Sequence, residues 1–384
     1  MKIIEANIYL LSIPFRFSFG HFLKKHSFSD SIVVELISET GLHGYGEGIA
    51  RPFVTGETAH KSVRHIRDIL LPAILHKNIS KLVFNRSPFN ILSSVNRLLP
   101  NRKEPGIIAW NASRSAVELA LIDSILRTCG KPLNYILPAG SKIITYSGVL
   151  TSGNLERTVE FTRRFKEAGL KYIKIKVGRS DDHKRIRTVR EIMGPSVSIR
   201  LDANGAFTRR EAIEFIKAVE EFGIDSIEQP VKRGKMRDLA EIRNAVSVPV
   251  MVDESLVTLN DANRLIEHEA CDYFNLRISK CGGLYNTLVI ADLAQKNGIK
   301  IQLGCQVGET AILSAAGRQM ASYLSDIRFI EGSFSTLLLV EDISREKIVF
   351  GKGGDAPLLS GNGLGVEIRK ELLKKYSRKI ITVR

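Results

Sequence analysis

A chain of 384 residues with 44% hydrophobic composition can bury a large core and is too long for most single compact domains, so one large barrel or sheet with a smaller companion domain is expected. No apolar run approaches the ~20 residues of a membrane span, and the opening MKIIEANIYLLSIPF reads as a first strand and not a signal peptide; a cytoplasmic location is the expectation. The 56 Lys and Arg against 41 Asp and Glu give a net charge of +15, but the charge is dispersed and no aromatic-interleaved basic stripe accompanies it, so a solvated basic surface is favoured over a nucleic-acid partner.

Along the chain, residues 1–50 alternate apolar and polar over long stretches, notably SIVVELISETGLHGYGEG, and read as an antiparallel meander. AHKSVRHIRDILLPAIL and SKLVFNRSPFNILSSVNRLL read as helices, and AWNASRSAVELALIDSILRTCG as a strong helix ended by glycine. This predicts an α+β domain over 1–110, with that last helix leading into a second domain. From about residue 141 the chain alternates short apolar runs with amphipathic segments. The strand candidates are KIITYSGVL, YIKIKVG, VSIRLDANG, DSIEQP, VPVMVDES, DYFNLRIS, IKIQLGCQ and IRFIEGS. About eight βα units at this step argue for a closed parallel barrel over 111–345. A doubly wound open sheet is the alternative, but no Gly-rich dinucleotide fingerprint supports it; GKGG at 351–354 reads as a loop. The tail from 346 to 384 is expected to return to the first domain. Cys129, Cys271, Cys281 and Cys305 lack zinc or redox spacing and read as buried thiols in a reducing compartment.

KYIKIKVG poses the question of function. Lys174 and Lys176 interrupt an apolar strand, two residues apart and so on one side of it. An edge strand with one wet face would explain them, but the other strand ends argue otherwise. At those ends stand Lys176, Asp202, Glu228, Asp253 and Lys280, at intervals of 26, 26, 25 and 27 residues. Catalytic groups collect at the C-terminal ends of barrel strands. Each carboxylate alone could cap the next helix. Three converging carboxylates repel one another and call for a cation, and an all-oxygen donor set suits Mg2+ or Mn2+ over zinc. Lys176 and Lys280 flank the trio as a base and an acid, with Lys174 and the metal favouring a neutral Lys176. Such a site suits removal of the proton next to a carboxylate through a stabilised enediolate.

This set resembles the enolase superfamily and, within it, the muconate-lactonizing subgroup. The resemblance rests on KIK at 174–176, DAN at 202–204, EQP at 228–230, DES at 253–255 and SKCGG at 279–283, with GYGEG at 44–48, ASRSAVELALIDSI and GLGV extending it over most of the chain. It implies a modified (β/α)7β barrel of the TIM type under an α+β capping domain, Asp202, Glu228 and Asp253 as Mg2+ ligands, Lys176 and Lys280 as the acid/base pair, and Lys174 as a carboxylate-binding neighbour. No His lies beyond His268, unlike members that use a His at the seventh strand; Glu309 matches the family's acidic residue there. Two loops of the cap would close the site, bringing His21, Phe19 and Phe53 to the substrate, with Asn204 as a further contact. The eighth strand has no Asp-x-Asp pair such as holds a dipeptide's ammonium in dipeptide epimerases; Glu331 is the sole acid near its end.

The expected reaction is therefore racemisation or epimerisation of an N-acyl amino acid or another small carboxylate by a homo-oligomeric enzyme. The alternatives are a dipeptide epimerase, a muconate-type cycloisomerase or an o-succinylbenzoate synthase-like elimination. A Schiff-base lyase using Lys280 would not require the carboxylate trio, and a basic nucleic-acid-binding protein on an enzyme fold would not require the intact set of five residues.

Overall fold

The computed structural model describes residues 1–21, 24–79, 88–151 and 153–384, with the backbone alone for 18–21, 24–26, 88 and 89. The first strands are β1 (Ile3–Leu11), β2 (Pro14–His21), β3 (Lys24–Phe28), β4 (Ile32–Ser38) and β5 (His43–Gly48). They do not form the expected simple meander. β2 and β3 pair with each other, and β1, β4 and β5 form an antiparallel sheet whose other edge is the C-terminal strand Ser377–Val383, paired to β1. Helix α1 (Ala59–His65) runs into a π-helical turn at Ile66–Leu70; α2 (Pro88–Leu98) and the buried α3 (Asn111–Thr128) follow.

The alternate glycines of GYGEG explain how α3 lies on β5. A Cβ on Gly44, Gly46 or Gly48 would come within 2.0 Å of Ser124 Oγ, 2.1 Å of the Ala116 carbonyl or 1.9 Å of the Ala112 carbonyl. The missing side chains let helix and strand backbones touch.

After β6 (Ile143–Thr145) come β7 (Gly148–Leu150), α4 (Leu155–Glu167), β8 (Tyr172–Lys176), α5 (Asp182–Met193), β9 (Ser198–Asp202), α6 (Arg209–Val219), β10 (Ile224–Glu228) and α7 (Met236–Ala245). The alternation continues with β11 (Val250–Val252), α8 (Leu259–Glu267), β12 (Tyr273–Leu276), the single turn α9 (Ile278–Cys281), α10 (Leu284–Lys296), β13 (Lys300–Leu303), α11 (Ala311–Tyr323) and β14 (Ile327–Ile330). β7 to β14 form one parallel sheet in chain order. Its edges meet where the Ser147 N–H donates to the Ile330 carbonyl at 2.9 Å. This is the TIM-type barrel with a capping layer.

One expected strand divides. KIITYSGVL is broken at Tyr146, whose N–H turns to the Gly354 carbonyl, so that Ile143–Thr145 pairs with β15 (Asp355–Pro357) and only Gly148–Leu150 enters the barrel. Past β14 lie α12 (Ser335–Leu338), β15, α13 (Lys370–Lys375) and β16 (Ser377–Val383).

The inward residues follow the strand period of two. Tyr172, Met251, Tyr273 and Phe329 pack together as an apolar floor. Above it the interior turns polar: Lys174 and Lys176 on β8 lie in register with Arg200 and Asp202 on β9, and Asp202 with Glu228 on β10. The barrel helices begin on capping side chains at this same end, Asn154 for α4, Thr208 for α6, Thr258 for α8 and Thr310 for α11.

The fit of α3 on β5 is testable. Gly46→Val should lower thermal stability by several degrees, because its side chain must push α3 off the sheet at a cost of about 1–3 kcal/mol. An unchanged melting temperature would show that the close approach is not required.

Candidate active site

Lys176, Asp202 and Glu228 are the last residues of β8, β9 and β10, and Asp253 follows β11 directly. Lys280 is not on a strand end as expected: β12 stops at Leu276, and Lys280 sits in the turn α9. That turn brings its Nζ back toward the barrel, where it donates to Asp253 Oδ1 at 2.9 Å and to the carbonyls of Asp253 and Asn275 at 2.8 and 2.7 Å. The turn is itself pinned from the cap. Asn111, the first residue of α3, donates to the Lys280 carbonyl at 2.5 Å, and Glu118 of α3 accepts from the N–H groups of Leu284 and Tyr285 at 2.5 and 3.2 Å. The glycines of SKCGG make room for this, since a Cβ on Gly283 would lie 1.8 Å from Glu118 Oε2.

On the opposite flank Lys176 Nζ donates to Asp202 Oδ2 at 2.6 Å and to Asn204 Oδ1 at 2.8 Å. Lys174 Nζ lies 2.7 Å from Glu331, 3.2 Å from Asp202 and 3.3 Å from Glu228. Burial alone would lower the Lys174 ammonium, but Glu228, Glu331 and Asp202 outweigh it and hold it well above its ordinary value. The carboxyls differ in the same terms. Burial opposes ionisation of Asp202 and Asp253, yet Lys176 and Lys174 hold the first below its ordinary range, and Arg277 and Lys280 the second. Burial pushes Glu228 up, helped by the neighbouring Asp202, Glu331 and Asp253 carboxylates.

Two motifs are structurally one. Gln229 of EQP, at a left-handed φ of 41°, accepts from the N–H groups of Asp253 and Ser255 in DES at 3.0 Å each, fixing the Asp253 loop against β10. Asn204 of DAN, at φ 45°, bonds Lys176 and donates to Glu254 Oε1 at 2.9 Å. Strained backbone at both strand ends is typical of functional loops.

As they stand, no three His, Cys, Asp or Glu side chains among the described residues form a metal-holding group: each carboxylate of the trio faces a lysine or arginine. The residues nevertheless fit a hard divalent cation. The donors are all carboxylate oxygens from neighbouring strands, Glu228 is crowded by negative charge, and Glu254 Oε2 is buried with no partner beside Asp253.

The residues that sequence reasoning missed include two cations. Arg277 donates to Asp253 and lies 3.5 Å from Glu228; Arg200 donates to Glu331 Oε1 at 3.0 Å and stacks over Phe329 at 4.1 Å. Their signal was in the strand period, since Arg200 and Arg277 share the inward parity of Asp202 and Asn275. Asn275 and Gln302 complete the group by donating to Glu228 at 2.8 and 3.1 Å.

A cavity of about 550 Å3 opens over these groups, lined by Lys174, Lys176, Asn204, Arg277 and, from the cap, Phe53. Glu309 also lines it, and burial pushes its carboxyl up to about 8. The side chains of Phe19 and His21 lie outside the described residues. Glu331, the candidate substrate contact at the eighth strand, also lines the cavity, and its carboxylate is shared by Lys174 and Arg200.

Residues 157–372 match the family described as enolase C-terminal domain-like. The chain belongs to the enolase superfamily. An N-succinyl-L-Arg/Lys racemase of Bacillus cereus is 28% identical, the match covering 98% of both chains. The crystal structure of an N-succinyl Arg/Lys racemase from that species superposes with a TM-score of 0.89 at 27% identity over the whole of both chains. That of a dipeptide epimerase from Cytophaga hutchinsonii, complexed with Mg and the dipeptide D-Ala-L-Val, gives 0.87 at 27% identity, again over the whole of both chains. Within the superfamily these relatives are isomerases, and the chain is an enzyme of that kind.

Glu331→Gln should lower stability by about 3 kcal/mol in urea unfolding, since it leaves two buried cations without their shared anion. A loss under about 1 kcal/mol would mean that Lys174 and Arg200 do not depend on it.

Proposed function

We propose that the protein removes and returns the proton on the carbon beside a substrate carboxylate, racemising or epimerising an N-acyl amino acid or a related carboxylate. The observation that carries this reading is the placement of Lys176 and Lys280 on either side of Asp202, Glu228 and Asp253 at one barrel mouth. Mg2+, or Mn2+, held by Asp202, Glu228 and Asp253, would withdraw charge from the substrate carboxylate and so acidify the adjacent C–H. Lys176 Nζ would take that proton on one side and Lys280 Nζ deliver one on the other; in the reverse direction they exchange roles. Lys174, kept an ammonium by three carboxylates, places positive charge where the substrate carboxylate would bind, next to Lys176. Asn204 orients Lys176.

An N-blocked substrate is preferred to a free dipeptide because a free α-ammonium would meet a Glu331 already neutralised by two cations. A dipeptide is the second reading, favoured by the dipeptide epimerase among the relatives.

In deuterium oxide with Mg2+, N-acyl amino acids should exchange their α-proton, and stripping with EDTA should abolish the exchange. Lys176→Ala and Lys280→Ala should each lose turnover by ~100-fold or more. Asp202→Asn, Glu228→Gln and Asp253→Asn should each weaken Mg2+ binding measured by calorimetry. Wild-type rates in either lysine variant, or full activity without metal, would sink the assignment. A free dipeptide such as L-Ala-L-Glu turning over far better than every blocked analogue would select the second reading.

A further inference from the structure

The cavity wall carries a charge pattern of its own. Its described acidic residues are Glu254 and Glu331, just beyond barrel strand ends beside the reacting groups, and Glu309, just before α11. Farther out, between β7, α4 and the segment after β14, the wall is apolar, with Leu150, Phe161, Phe165, Phe334, Leu338 and Phe350. No described carboxylate lines that stretch. A cationic arm laid along it would lose its hydration with no counter-charge, whereas an apolar arm gains roughly 25 cal/mol for each Å2 buried.

Arginines line the same cavity, and they are not equivalent. Arg51 is held by Asp30 at 2.7 Å and by the Val307 carbonyl at 2.6 Å, and Arg164 by Glu160 at 2.7 Å. Arg157, in the first turn of α4, lines the cavity too, and among the described residues no acceptor holds its guanidinium. It is also a cation at a helix start, where the helix field opposes positive charge. A carboxylate arriving from the cavity would relieve that position with a forked, charge-assisted contact.

Building on the racemase reading above, we propose that Arg157 receives a terminal carboxylate on the substrate's acyl arm, and that the amino-acid side chain is apolar. The preferred substrates are then N-(carboxyacyl) derivatives, such as N-succinyl, of apolar amino acids and not of Arg or Lys. In this the protein would part from the relative named for N-succinyl-Arg and N-succinyl-Lys.

The test compares N-succinyl-L-Leu, N-butanoyl-L-Leu and N-succinyl-L-Lys with the Mg2+-loaded enzyme, following α-proton exchange. N-succinyl-L-Leu should exceed each of the others in kcat/KM by about tenfold, the worth of one good polar contact. In Arg157→Ala the succinyl-to-butanoyl ratio should collapse toward one, chiefly through KM, and Arg157→Lys should recover part of it. A merely structural role would depress both substrates alike and leave the ratio unmoved, which would overturn the assignment, as would faster turnover of the Lys derivative. If no N-acyl amino acid exchanges its α-proton in the wild type, the racemase reading itself fails and takes this inference with it.

Discussion

Charge compensation in a buried space is the constraint on which the rest of this molecule depends. The carboxylates Asp202, Glu228, Asp253, Glu254 and Glu331 crowd one barrel mouth, and the cations Lys174, Lys176, Arg200, Arg277 and Lys280 stand among them. Five acidic side chains stand against five basic ones. Each charge removed from water costs several kcal/mol unless it is answered at close range. A dication held by these carboxylates would be answered by the same negative charge that now answers the lysines and arginines.

The balance can hold only if the groups keep their places, and much of that rigidity comes from outside the barrel. Buried carboxylates of the capping layer reach the starts of helices, two of them in the barrel. Glu47 accepts from the N–H groups of Thr310 and Leu313 at the head of α11, Glu118 from Leu284 and Tyr285 at the head of α10, and Glu57 from Ala112 and Ser113 at the head of α3. These are the unsatisfied donors of helix starts, where negative charge is best placed. Because α3 also holds the Lys280 turn through Asn111, the cap shapes the site as well as covering it.

Strand period and charge phase were legible in the sequence because they are local. A period of two sends Lys174 and Lys176 to one side, and a parallel βα unit returns the chain to the same rim every 25 to 27 residues, so one charge per unit at constant phase identifies the rim before any coordinates exist. The same arithmetic contained Arg200, but a buried arginine makes sense only once its anion is known. For Lys280 the spacing fits a strand end; the chain in fact leaves β12 at Leu276 and makes one helical turn, a departure that Asn111 and Glu118 impose from more than 160 residues away.

The sequence by itself thus determined the barrel, the carboxylate trio and the flanking lysines, all consequences of backbone periodicity and of like charges needing a counter-ion. Only the tertiary structure decided who answers whom. It gave Glu331 to Lys174 and Arg200, split KIITYSGVL between two sheets, completed the first sheet with the last strand, and left Arg157 without an acceptor among the described residues over an apolar wall. Those outcomes turn on side chains far apart in the chain meeting at hydrogen-bond distance, and no local pattern encodes which of several equivalent charges will be the one to arrive.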